Sequence, residues 1–329
     1  MEKSMSGRII KKATSSRDFW LFLVLLVVFA VFGSINKLYI SYNNIKNIMY
    51  SISVSGIIMV GIGNLLISGN MDLSAGAVGC LAAILGAFMI NAGVPWVLAV
   101  IVALLFGAVC GAVNAVLTYT FGIMPFIGTL GISFVWKGIA SNISNNTLVY
   151  IRSEPFYNFG GAKVFDIPAA FLYVVLLCII YGLIMKYTKH GRKVYMCGGN
   201  RMAARLAGIN HKKVGAVMMI NCSVLASLAG MVLASRMHEI SPTNLQDTTT
   251  MSAITAALLG GVAFSGGVGN MLGAFLGLLL LNSFKNGLDL IGLNEYWQVV
   301  ANGLLLCAAI IVDYFNQLSI QRNLKRAEH

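Results

Sequence analysis

The chain has 329 residues, 58% of them hydrophobic and only 10% charged, with a net charge of +12. That balance excludes an ordinary soluble domain, in which about a quarter of residues are charged. The apolar runs are continuous and do not alternate, which excludes a transmembrane β-barrel.

Ten apolar segments follow one another along the chain, at roughly 19–36, 45–67, 73–92, 94–120, 125–141, 167–185, 213–235, 251–264, 268–284 and 296–313, against the roughly 20 residues needed to cross a bilayer. Between Leu73 and Trp136 there are 64 residues without one Asp, Glu, Lys, Arg or His, and a charge at the bilayer centre costs several kcal/mol. The sequence therefore predicts an all-α, polytopic membrane helix bundle of about ten transmembrane helices. Glycine is abundant at 35 residues and proline scarce at 5, which suits closely packed transmembrane helices. The eighth segment is short and reads as tilted, broken or re-entrant. The first segment has a basic flank but no A-x-A-like site after it, so it reads as an uncleaved span. The expected organisation is a basic N-terminal segment at 1–18, a transmembrane domain at 19–313 and a C-terminal tail at 314–329.

Alternating ten helices from a cytoplasmic N-terminus puts 16 of the 23 Lys and Arg on the cytoplasmic side. Eight of these lie between Lys186 and Lys213, while Arg236 and Lys285 fall among the seven outside. Glu154, Asp166, Glu239, Asp247, Asp289 and Glu295 also fall outside. The positive-inside rule thus predicts both termini cytoplasmic. The excess positive charge then faces anionic lipid of the bilayer, and no nucleic-acid partner is expected.

Two loops are long. The outer loop, 141–166, is polar and aromatic. The inner loop, 186–213, holds Asn200 as an N-cap, helix formers from Arg201 to Ala207, and Gly208 as a C-cap. A short surface helix fits this pattern, and so does a basic loop anchored to lipid.

Chemistry is sparse. No Gly-Lys dipeptide exists, so no Walker A loop does, and the glycines at 260–269 read as helix breakage or close packing. The six cysteines show no metal or disulfide spacing, and no His has a partner at metal-ligand spacing. Asp72 is the acid nearest membrane depth; it reads as a helix cap in preference to an ion or proton site. Asn64, Asp72, Phe126, Trp136, Trp297 and Asn302 are candidates for a translocation path, being of the residue types that hold polar solutes, although interhelical hydrogen bonding explains any single Asn as well.

Three segments together resemble the permease subunits of ribose-type sugar ABC importers. Ile67-Ser-Gly-Asn-Met-Asp-Leu-Ser-Ala-Gly76 is similar to the family's S-G-G-I-D-L-S-V-G. Gly191-Arg-Lys-Val-Tyr-Met-Cys-Gly-Gly-Asn-Arg-Met-Ala-Ala-Arg-Leu-Ala-Gly-Ile209 resembles G-R-x-I-Y-A-x-G-G-N-E-x-A-A-x-x-S-G-I. Ile254-Thr-Ala-Ala-Leu-Leu-Gly-Gly-Val-Ala-Phe-Ser-Gly-Gly-Val-Gly269, followed by Asn286-Gly-Leu-Asp-Leu-Ile-Gly292, resembles I-A-A-V-V-L-G-G-T-S-L-x-G-G-x-G and N-G-L-N-L-L-G. Arg201 departs from the pattern, standing where the family has Glu, and Thr250 and Ser252 stand where the acids of E-L-D are usual.

The resemblance implies a subunit of an ATP-driven importer, most simply for a monosaccharide, in a bacterial inner membrane. It implies that Gly199, Asn200, Arg201, Ala203, Ala204 and Gly208 form a coupling element against a separate cytoplasmic ATPase with two nucleotide-binding halves, which binds ATP and magnesium. No cofactor is expected in this chain, and no catalysis. A second permease subunit, identical or related, and an external solute-binding protein complete the expected assembly. The alternative is an ion-gradient-driven transporter or channel for a polar solute; it calls for ionisable groups at depth, where only Asp72 is close.

Overall fold

The structure, a computed structural model, describes residues 17–245 and 247–327. It is a helix bundle. The helices are α1 (Arg17–Ile35), α2 (Tyr42–Ile67), α3 (Ala75–Asn91), α4 (Trp96–Tyr119), α5 (Pro125–Ile143), α6 (Glu154–Gly161), α7 (Ala169–Tyr187), α8 (Lys189–Gly199), α9 (Arg201–Leu206), α10 (His211–Met237), α11 (Asp247–Leu259), α12 (Met271–Leu290) and α13 (Glu295–Ala327). Eight of these are long and apolar enough to cross a membrane, and α3 and α11 are shorter apolar helices. These ten coincide with the ten predicted segments. The helix α13 runs unbroken through the boundary drawn at 313 in the sequence.

The helix α10 is the hub. It packs against α4, α3 and α2, and small residues let it. A Cβ on Gly230 would sit 2.0 Å from the Gly79 carbonyl oxygen, and one on Gly111 would sit 2.5 Å from the Ile220 Cα. Backbones in hydrocarbon approach this closely only where side chains are absent. Gly273 and Gly277 press α12 onto Ala256 of α11 and onto Gly260 just past its end.

Helices α3 and α11 are about 26 Å and 20 Å long at 1.5 Å per residue, short of the roughly 30 Å hydrocarbon core. Each adjoins irregular chain, 68–74 before α3 and 260–270 after α11. Non-helical backbone at depth must find its partners inside the protein. Side chains supply them before α3: Leu73 N donates to Thr129 Oγ1 (3.0 Å), Ser74 N to Asp72 Oδ1 (2.7 Å) and Gly76 N to Thr250 Oγ1 (3.0 Å).

The long loop 141–166 is folded. Strand β1 (Val149–Tyr150) pairs antiparallel with β4 (Glu239–Ile240), and β2 (Lys163–Val164) with β3 (Ile167–Pro168). The amphipathic α6 buries Phe156 fully, its ring beside those of Trp96 and Phe159. The Ser235 hydroxyl accepts from Gly160 N and donates to the Phe156 carbonyl. Lys46 donates to Asp166 at 2.6 Å, and that bond holds the Asp166 carboxyl below its usual range.

Candidate functional site

The long loop 186–213 folds as two helices. Thr188 caps α8, its hydroxyl accepting from Gly191 N at 3.1 Å. Asn200 ends α8 and caps α9, its Oδ1 accepting from Ala203 N at 2.9 Å. The chain leaves α9 through Gly208 at φ +74, a left-handed conformation that glycine adopts without strain. The short helix read from Asn200 to Gly208 is therefore present. The segment Lys189–Gly199, unassigned in the sequence, is helical too, with Val194 and Cys197 buried on one side. Burial pushes the Cys197 thiol up, against the pull of the neighbouring Arg201, so it is a packing residue.

Three segments meet backbone to backbone at the base of these helices. Gly267 N donates to the Ile67 carbonyl at 2.8 Å. A Cβ on Gly198 would sit 1.9 Å from that same carbonyl oxygen and 2.5 Å from Gly267 N. One on Gly266 would sit 2.7 Å from Gly69 Cα. Arg201 Nη2 donates to the Gly69 carbonyl at 2.8 Å, and Tyr195 donates to the Gly269 carbonyl at 2.7 Å. The end of α2, the α8–α9 corner and the 260–270 loop are thus joined at one point. These are the three motif segments, far apart in sequence.

Burial divides the predicted coupling residues. Ala204 is fully buried within the chain's own core, whereas Arg201, Ala203 and Gly208 are exposed. The two adjacent alanines do not share an outer surface: the turn between them carries Ala204 inward. The outer face of α9 is apolar instead, with Met202 65% and Leu206 83% exposed. The sequence reading passed over both, although their i, i+4 spacing placed them on one face.

The predicted path residues do not converge. Asn64 is fully buried in α2, donating to the Val60 carbonyl in its own helix. Asp72 is fully buried and accepts from Ser74 N, from Ser74 Oγ (2.6 Å) and from Asn114 Nδ2 (3.1 Å). This orders the backbone entering α3, whose N-cap is Ser74: Asp72 holds the cap residue and takes no amide of the helix's first turn. Phe126 and Trp297 are exposed on separate helices, and the Trp136 ring stacks edge-on with Phe106. Asn302 lines a cavity of about 310 Å³ between α2, α10, α11, α12 and α13.

Arg236 and Lys285 line the same cavity. The charge count assigned both to outer loops, yet Arg236 lies in the last turn of α10 and Lys285 well inside α12. Lys285 Nζ donates to Ser252 Oγ at 2.7 Å, and Arg236 Nη1 donates to the Tyr50 carbonyl at 2.8 Å. A Lys just past the last apolar residue of a segment was the available signal.

The family described as branched-chain amino acid transport system / permease component matches residues 44–309, which takes in all three joined segments and the cavity. The chain belongs to this permease family. It is 33% identical over 301 residues to the ribose import permease protein of Bacillus subtilis (strain 168), covering 89% of this chain and 91% of that one. It is 33% identical over 309 residues to the D-allose transport system permease protein of Escherichia coli (strain K12), covering 92% and 94%. The L-arabinose transport system permease protein of the same strain is 33% identical over 301 residues, covering 89% and 90%. No solved structure matches the chain. The permease is a multi-pass protein of the inner membrane, and the glycine junction and the cavity lie within its family-matched region.

Proposed function

We propose that this permease is the membrane subunit of an ATP-driven monosaccharide importer, driven by a separate cytoplasmic ATPase that engages α9. The carrying observation is the build of that helix. Its outer face presents Met202 and Leu206 to solvent, while Ala204 and the Gly198 junction root it in α2 and the loop before α12. An exposed apolar pair at a polar end of a membrane protein calls for a partner surface. A displacement of α9 passes through backbone contacts into two helices of the bundle, with no flexible side chain to absorb it.

The end bearing α8 and α9 faces the cytoplasm on this reading, and the β1–β4 end faces outward. A solute-binding protein meets the outward end, where Phe165 projects from the β2–β3 turn 97% exposed. The ATPase supplies two nucleotide-binding halves, and a second permease subunit pairs with this one.

Leu206→Asp provides the test. The variant should insert and keep the melting temperature of the parent, yet fail to co-purify with its ATPase and lose solute-stimulated ATP hydrolysis. Normal ATPase assembly by this variant would refute the coupling role. Single cysteines at Asn200 and Asn158, in a cysteine-free background, should label from opposite sides; outside labelling of both would overturn the orientation. Uptake driven by an ion gradient with no ATPase present would favour the secondary-transporter alternative.

A further inference from the structure

The cavity among α2, α10, α11, α12 and α13 carries two cations, Arg236 and Lys285, and no carboxylate among its described lining residues. Among the described residues the one ion pair is Lys46–Asp166, elsewhere at the outer end. Lys285 uses one of its three donors on Ser252, and Arg236 uses one of its five on the Tyr50 carbonyl. The Arg236 guanidinium also lies 5.5 Å from the Tyr50 ring centroid. Asn302 is 9% exposed and leaves its Oδ1 without a hydrogen-bond partner, while its Nδ2 reaches Ser252 at 3.4 Å. The amides of Asn282 and Gln298 complete the polar wall.

A neutral polyol needs paired donors and acceptors; it gives nothing back for holding two like charges away from bulk water. An anion does, because it offsets the cost of both partly desolvated cations and can take the unused N–H groups of each. Ionisable side chains set among transmembrane helices mark solute paths by default. Ser252, a hydroxyl where the family pattern has an acid, removes a carboxylate from this wall.

We propose that this cavity takes an anionic monosaccharide, its carboxylate or phosphate held by Arg236 and Lys285 and a hydroxyl by Asn302. The proposal rests on the importer reading and narrows its solute class. The test uses the whole importer, permease with its ATPase and binding protein, in phosphatidylcholine proteoliposomes free of anionic lipid. Uptake is measured for D-ribose, D-galacturonate and D-ribose 5-phosphate.

ATP-dependent uptake of an anionic probe at about ten times the rate of ribose or more is expected, with Lys285→Gln and Arg236→Gln each lowering it about tenfold or more. Lys285→Arg should retain it, which separates loss of charge from loss of fold. ATP-dependent uptake of ribose with both anions excluded would overturn the anion site and leave the importer intact. Anion uptake indifferent to Lys285→Gln would do the same. Uptake of no probe under ATP would overturn both.

Discussion

The carbonyl oxygen of Ile67 occupies the place where a side chain on Gly198 would go: a Cβ there would sit 1.9 Å from it. The same carbonyl accepts from Gly267 N, so it is held from two sides. The next residue differs. A Cβ on Gly199 meets nothing closer than 3.9 Å. Gly198→Ala should therefore force backbone apart and cost about 1–3 kcal/mol, as overpacking typically does, with a lowered melting temperature and reduced coupling of ATP hydrolysis to uptake. Gly199→Ala should behave as the parent. Equal melting temperatures for the two variants would show that the junction yields.

Ala204 and Leu206 separate folding from docking. Aspartate at Ala204 buries an unpaired charge inside the chain, at a cost of several kcal/mol. Ala204→Asp should lower the amount of folded protein recovered from membranes, even with no ATPase present. Leu206→Asp adds a charge in solvent, where surface changes usually fall within about 0.5 kcal/mol, and should be felt only in the complex. Full recovery of Ala204→Asp with a stable α9 would contradict the burial.

Most of the bundle was legible in the sequence because hydrocarbon imposes a strict rule. Charges are excluded over long runs such as Leu73–Trp136, and ten apolar segments become ten helices with ends shifted by a few residues, apart from α13, which runs on well past its apolar segment. The caps of α9 were legible for a local reason, since Asn200 and Gly208 need only their immediate neighbours to act. What depends on distant partners was not. The inward turn of Ala204 is set by packing beneath α9, and an alanine fits inside or outside equally. Lys285 read as a loop residue because a hydropathy window ends at the first charge, while the helix runs on to Leu290. The convergence of the Ile67, Gly198 and Gly267 segments has no local signature beyond glycine itself. The glycine runs signalled close packing but not what they pack against.

Phe165 tests the outward face. It holds φ +49 at the β2–β3 turn, next to Asp166 at φ +65. A bulky residue in the left-handed region costs of order 1–3 kcal/mol, and its ring is 97% exposed, gaining little packing in return. Asparagine tolerates that conformation. Phe165→Asn should keep or raise the stability of the chain while weakening its response to the external binding protein, read as a loss of ATPase stimulation at saturating ATP. Unchanged stimulation would remove Phe165 from that interface.

Asp72 distinguishes the two transport mechanisms. Its carboxylate accepts from Ser74 N, Ser74 Oγ and Asn114 Nδ2, all buried. Asp72→Leu strips the partner from three donors, at about 1–3 kcal/mol for each left unsatisfied, and the variant should fail to accumulate. Asp72→Asn keeps an acceptor for Ser74. Its new amide N–H group faces Asn114, whose Oδ1 has no hydrogen-bond partner among the described residues; rotating the Asn114 amide by half a turn pairs the two, in exchange for the bond that Asn114 Nδ2 gives to Ser74 Oγ. The Asn variant should therefore fold and sustain ATP-driven uptake within about twofold of the parent, a loss below about 0.5 kcal/mol. A carrier coupled to a proton or cation through Asp72 would behave otherwise, because asparagine neither titrates nor holds the charge. A folded Asp72→Asn protein without uptake would move the mechanism from ATP coupling at α9 to ion coupling within the bundle.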